Sequence, residues 1–288
     1  MYRTISILFF LLVLVPFAPA QNASPNGGSM ALAPARFELE MKPGTETTVV
    51  LNLDYRSADD MTKPARIVAS LNDWNISRDG RVEYFPANTR PHSESPWLIY
   101  SPGEASILPG TVHQIRVTVS VPINAVSGDY LTALIVEQRP STLKQERGAM
   151  QMVVKYRMAS VFYVKVAGLT KKGNLENLYA ESTPDGIIIT PVLKNEGNSV
   201  IRPAASVTVV DAKGKTIADL PRFDSLPILA GSELTQPLLI QGTLSPGKYS
   251  VRYNVDFGDG RPATEGVTDL VVKGPERVAA LETAPKNP

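Results

Sequence analysis

Between Met150 and Met158 the chain sets Met150, Met152, Val154, Tyr156 and Met158 on every second position, with Gln151, Val153, Lys155 and Arg157 between them. In a β-strand this spacing sends the first set to one face and the second to the other. The chemistry on offer is recognition. One face is apolar and rich in pliable methionine, and the other carries two neighbouring cations, Lys155 and Arg157. A strand of this kind either completes its own domain's core or is lent to a partner that lacks one.

Catalysis finds less to work with. His92 and His113 are the two histidines, and neither stands at a motif spacing from a nucleophile or a second ligand. Cysteine is absent, which excludes disulfides, thiolate nucleophiles, zinc–thiolate centres and a lipid acceptor. There is no Gly-x-Ser-x-Gly, no phosphate-cradling glycine loop and no pair of metal-binding histidines. Asp256-Phe257-Gly258-Asp259-Gly260 lacks the ligand ladder and distal glutamate of a calcium loop and reads as a hairpin turn. Asp59-Asp60 reads as a solvated loop. Trp74 and Trp97 would be sugar-stacking platforms if exposed, but on strands they read as core or inter-sheet packing. The expectation is a protein that is not an enzyme, with no catalytic residue, metal or cofactor.

Lysine and arginine total 29 against 28 aspartates and glutamates, so no large field argues for nucleic acid or an anionic membrane. Met1 to Ala20 has a single early cation at Arg3, an apolar run from Ile5 to Phe17, and small residues at Ala18 and Ala20. This is the pattern of a secretory signal peptide cleaved after Ala20, and the run is short for a membrane span. A periplasmic product without stable membrane insertion is expected, with the extracellular space as the alternative destination.

The elements that must position the methionine strand are strands themselves. Phe37, Leu39 and Met41 alternate with Arg36, Glu38 and Glu40; Val49, Leu51, Leu53 and Tyr55 alternate with Thr48, Asn52 and Asp54; and later Ile115, Val117, Val119 and Val121 alternate with Gln114, Arg116, Thr118 and Ser120. Arg66 to Leu71, Arg81 to Phe85, Trp97 to Tyr100 and Tyr130 to Glu137 add further candidates. Turn signals at close spacing between them make the pattern of a β-sandwich. No long window keeps helical spacing, and 24 prolines and 20 glycines interrupt most of them. Ser57 to Met61 reads as one turn at most.

A weak internal repeat duplicates the pattern. Leu108-Pro109-Gly110 leads to Gly128-Asp129-Tyr130 and an apolar strand, and Leu229-Ala230-Gly231 leads to Gly247-Lys248-Tyr249 and another, Val251 to Val255. The predicted fold is all-β, with two tandem immunoglobulin-like sandwiches. The expected divisions are a signal peptide over 1–20, a flexible N-terminus over 21–30, one domain over 31–168 and a second over 174–273. The polar stretch from Gly168 to Gly173 reads as a flexible linker, and 274–288 as a disordered or loosely docked tail.

Taken together, a signal peptide, two such sandwiches, no catalytic machinery and a polar loop entering a long alternating strand resemble the periplasmic pilus-assembly chaperones of the PapD type. Ser95-Pro96-Trp97-Leu98-Ile99-Tyr100-Ser101-Pro102, Leu108-Pro109-Gly110 with Gln114-Ile115-Arg116-Val117, and Gly128-Asp129-Tyr130 are similar to the first domain of PapD-like proteins. The resemblance covers mainly residues 30–168. It implies that the strand donates Met150, Met152, Val154, Tyr156 and Met158 into the groove of an incomplete subunit. It also implies that two cations hold the subunit's terminal carboxylate, Arg36 being the first and Lys155 or Arg157 the second. The implied partners are secreted pilin-like or surface subunits and an outer-membrane usher. The alternative is a structural or adhesive immunoglobulin-like binding module, in which the same residues complete the domain's own sheet. The second domain matches the family only generically, and the tail has no role in that scheme.

Overall fold

The computed structural model describes residues 29–57, 62–139 and 156–273. The first sandwich is built from β1 (Ser29–Ala33), β2 (Arg36–Met41), β3 (Glu46–Arg56), β4 (Ala65–Ile76), β5 (Val82–Pro86), β6 (Leu98–Ser101), β7 (Glu104–Ile107), β8 (Val112–Ser120), β9 (Gly128–Arg139) and β10 (Arg157–Val166). One sheet has the order β1-β3-β8-β6; the other has the order β2-β10-β9-β4-β5, with β7 also on β4. Leu51 and Leu53 of β3 and Ile115, Val117 and Val119 of β8 point inward, fully buried, against Ile67, Leu134, Val136, Phe162 and Val164 of the facing sheet. The alternation visible in the sequence therefore became the two inner faces of one core.

β1 and β2 are one stretch that changes sheets. β1 pairs antiparallel with β3, and β2 runs parallel to β10. Pro34, which has no N–H to give a ladder, lies between them. Pairing begins at Ser29, inside the stretch expected to be flexible, because Met30 and Leu32 pack against the core. β4 runs on to Ile76, past the Leu71 end read from the sequence, and so carries Trp74. Trp97 sits in a short 3-10 turn, Ser95–Trp97, rather than opening a strand. Its ring packs on Tyr130 at 4.2 Å.

The second sandwich contains β11 (Gly173–Thr183), β12 (Gly186–Asn195), β13 (Ala204–Asp211), β14 (Thr216–Asp224), β15 (Glu233–Thr235), β16 (Leu238–Gln241), β17 (Gly247–Asp256) and β18 (Thr264–Val272). β11-β12-β15, with β16 also on β12, faces β14-β13-β17-β18. Ile187, Ile189, Leu193, Val207, Val209, Val251, Tyr253 and Val255 fill the space between them. The Asp256–Gly260 turn is a hairpin connection, with Asp256 Oδ1 accepting the Gly258 N–H at 2.9 Å. Asp259 also accepts the Gly173 N–H at 3.1 Å, tying this turn to the first residue of β11. Among the described residues no helix is long and apolar enough to cross a membrane.

The joint between the sandwiches is closely built. Asn198 donates from Nδ2 to the carbonyls of Ser127 and Gly168, and its own carbonyl accepts the Asp129 N–H at 2.9 Å. Its Oδ1 accepts the Thr170 N–H at 2.6 Å, and Glu196 N–H donates to Lys172 O at 2.7 Å. Any Cβ at Gly197 would collide with the Thr170 carbonyl. The stretch expected to be a flexible linker is thus hydrogen-bonded to the Asn195–Asn198 turn. Sequence reasoning saw only a polar run there, because its partners lie some 25 residues further along the chain.

Candidate partner-binding edge

β10 is apolar on both faces. Phe162, Val164 and Val166 enter the first core, and Met158, half-buried, shares their face. Ala159, Val161 and Tyr163 face the other way, with Trp74, Ala133 and Ile135, toward Val200 and Leu229 of the second sandwich. The unbroken run Ala133-Leu134-Ile135-Val136 in β9 is the sequence mark of a strand covered on both sides. It could have revealed this junction in advance.

The two edges of β10 are covered unequally. β9 pairs with it from Arg157 to Val166, while β2 pairs with it only from Val161 to Val166. Tyr156 O accepts the Gln138 N–H at 2.9 Å on the β9 side, and Val161 N–H donates to Ala35 O at 3.0 Å on the opposite side. Backbone groups alternate along a strand, so Arg157 and Ala159 present their N–H and C=O on the side of β2. Among the described residues no strand pairs with that side before Val161. Tyr156 is half-buried and Arg157 exposed at this leading end. Met150, Met152, Val154 and Lys155 lie outside the described residues.

Arg36 stands in register with Val161. Arg157 is four residues upstream, roughly 13 Å along the strand, so the ladder does not bring these two cations together. Arg36 instead meets Glu38, at 3.2 Å from Nε, and the same carboxylate takes Lys165 Nζ at 2.6 Å. Arg202 of the second sandwich reaches it at 2.8 Å and lies over the Tyr163 ring at 5.4 Å. Burial works to raise the Glu38 pKa, but the Lys165 hydrogen bond and the charges of Arg202, Lys165 and Arg36 hold it below the ordinary value. Three cations thus share one carboxylate, two from the first sandwich and one from the second. Glu38 had read as a water-facing strand residue, and nothing local signals Arg202.

His92 does not join these groups. Its backbone carbonyl accepts the Leu131 N–H at 3.0 Å, and its ring meets Tyr130 edge-on at 5.4 Å. His113 lies half-buried in β8, opposite Leu53. Among the described residues no group of three or more metal-ligating side chains occurs.

Beside the junction lies a fully buried carboxyl, Glu94, whose oxygens have no hydrogen-bond partner among the described residues. Burial pushes its pKa well above 4.5, and the charges of Asp129 and Asp73 push the same way, while nearby backbone groups offset only part. Because the folded value is the higher one, the unfolded chain loses this proton first. This group's stability contribution is therefore full below pH 4.5 and falls as pH rises toward the folded value. Glu94→Gln, a neutral isostere, is expected to flatten that decline in urea titrations of the first sandwich above about pH 4.5. An unchanged slope would assign the pH dependence to other groups.

These features define a class: paired immunoglobulin-like sandwiches whose first unit ends in a strand with one partly open edge. Among solved structures, the chain is similar to one from a CFA/I fimbrial chaperone–tip adhesin complex, at 9% identity and a TM-score of 0.45, covering 83% of this chain and 98% of that one. It is also similar to a chain of the CsuC–CsuE chaperone–tip adhesion subunit complex from the archaic chaperone–usher Csu pili of Acinetobacter baumannii. The identity there is 16% and the TM-score 0.42, over 84% of this chain and 98% of that one. The Pseudomonas aeruginosa CupB2 chaperone matches at 13% identity and a TM-score of 0.38, over 85% and 100%. No protein-family model and no curated protein sequence matches this chain.

Proposed function

We propose that this protein is an exported chaperone that holds incomplete β-sandwich subunits of pili or other surface appendages by strand addition along β10. The observation that carries this reading is the uncovered side of Arg157–Ala159, continuous with the alternating Met150–Met158 segment. Main-chain hydrogen bonds would supply attraction, and the side chains of Met150, Met152, Val154, Tyr156 and Met158 would supply choice of client. A cation at this edge, Lys155 or Arg157, would take the client's terminal carboxylate and so fix register, because a slip of one residue turns every side chain to the wrong face, while Arg36, paired with Glu38 and in register with Val161, stands apart from it. An outer-membrane usher is a further partner on this reading. The domains would be those read from the sequence, over 31–168 and 174–273, in a periplasmic protein.

Co-purification from the exported fraction tests this. Wild type is expected to bring down a small β-rich subunit. Ala159→Pro removes one N–H from the open side without touching a β9 bond and should reduce that recovery at least about tenfold. If Ala159→Pro fails to fold, Arg157→Pro probes the same side at the strand's first residue, where proline is better tolerated. Recovery equal to wild type from a folded proline variant would rule out strand addition here. Absence of any client with wild type would favour the structural or adhesive module.

A further inference from the structure

A cavity of about 190 Å³ opens at the junction, between Trp74, His92, Asp129 and Leu131 of the first sandwich and Val200 and Leu229 of the second. Two of its lining side chains, each only 4% exposed, carry a polar atom with no partner among the described residues: Trp74 Nε1 and Asp129 Oδ1. Buried polar groups are rarely left unbonded, so an open donor and an open acceptor on one cavity indicate a complementary occupant. The other Asp129 oxygen is already engaged, by Ser199 Oγ at 3.0 Å and the Val200 N–H at 2.6 Å. The carboxylate is therefore locked in place with one oxygen to offer.

The charge around it selects the occupant. Asp73 and Asp129 both bear on the buried Glu94, so the neighbourhood is acidic. Such a field favours a cationic donor over a neutral one. The guanidinium of Arg90, also in the lining, is engaged over the Phe85 ring at 4.3 Å. Leu131, Val200 and Leu229 give an apolar wall for a short carbon body. A space of this size suits a small molecule or a single chain end.

We propose that this junction cavity binds a primary ammonium group with a neutral oxygen acceptor beside it. The ammonium donates to Asp129 Oδ1, and the acceptor takes the Trp74 indole N–H. Two sources carry that chemistry, a free amino alcohol and the first residue of a peptide, whose ammonium neighbours a carbonyl. Because the walls come from both sandwiches, an occupant also bridges them.

Titration of the whole exported chain with ethanolamine, alaninamide and N-acetylalaninamide tests the assignment, followed by the indole N–H resonances of the two tryptophans. The Trp74 signal should move at millimolar amine, and by more than that of Trp97, which is outside the lining. Tighter binding of alaninamide would identify a peptide end, and tighter binding of ethanolamine a free amino alcohol. Asp129→Asn keeps the shape and removes the charge, and it should weaken binding about tenfold. If that variant fails to fold, Trp74→Phe deletes the N–H, and the amine-induced rise in Tm should shrink. The proposal is overturned if the acetylated compound binds as well as its parent, if Asp129→Asn binds as well as wild type, or if no amine moves Trp74, the cavity then holding water only.

Discussion

Asp73→Ala should destabilise the first sandwich by about 3–5 kcal/mol, the size of effect seen when a buried charged group loses its place in a network. Asp73 stands on β4 and is 1% exposed. Its carboxylate accepts the N–H groups of Asn88, Thr89 and Arg90 at 3.2, 2.7 and 2.9 Å, and the hydroxyls of Ser93 and Ser95 at 2.6 Å each. Burial works to raise its pKa, yet these donors outweigh burial and hold it below 3.8. The stability it brings is therefore present above pH 3.8 and is lost as pH falls through the lower folded value. Without the carboxylate, five donors lose their shared acceptor, Ser95 alone keeping a second partner in Thr132 Oγ1 at 2.8 Å, and the loop over 87–95 loses its anchor to β4. That loop also pairs with β9 through Leu131. Thermal unfolding followed for each sandwich should show the first transition falling by roughly 10 °C while the second holds. Asp73→Asn should recover part of the loss, since its amide nitrogen must face donors. An alanine variant with an unshifted first transition would mean that water replaces all five bonds.

The second large effect concerns the strut that carries the proposed edge. Phe162→Ala should cost about 3–5 kcal/mol, as for other fully buried aromatic truncations. Phe162 is wholly buried, stacks on Phe37 of β2 with ring centroids 4.9 Å apart, and lies in the half of β10 covered by strands on both sides. Met158, half-buried in the half with one partly open side, should cost markedly less as Met158→Ala and yet lower client recovery more. Denaturation and co-purification on the two variants separate the roles. Equal losses of stability from both would place Met158 in the domain's own core and weaken the strand-addition reading.

Much of the fold could be read along the chain, because the fold's own rule is local. Alternation at Val49–Tyr55 and Gln114–Val121 needed no distant information to become two paired strands of one sheet. What escaped was long-range. Asp73 looks like any polar residue until the chain returns with Ser93 and Ser95, and Glu38 looks water-facing until Arg202 arrives from the second sandwich. The Asn195–Asn198 turn looked generic because its work is done on residues of the first sandwich and the linker. β15 and β16, three and four residues long, carry too little alternation to be seen. For the candidate edge, the sequence supplied Tyr156, Arg157 and Met158, while the unequal coverage of β10 follows from where β2 begins.

The parallel pairing of β2 with β10 has a mechanical consequence. β2 enters the ladder at Arg36, and β10 leaves it at Val166 for the second sandwich, so the two exits lie at opposite ends of one shared register. A pull between the N-terminal segment and the second sandwich would load that ladder lengthwise, across all its rungs at once. The same chain pulled sideways would part rung by rung. Tension along the molecule therefore meets its strongest direction at the strand where a client would be held.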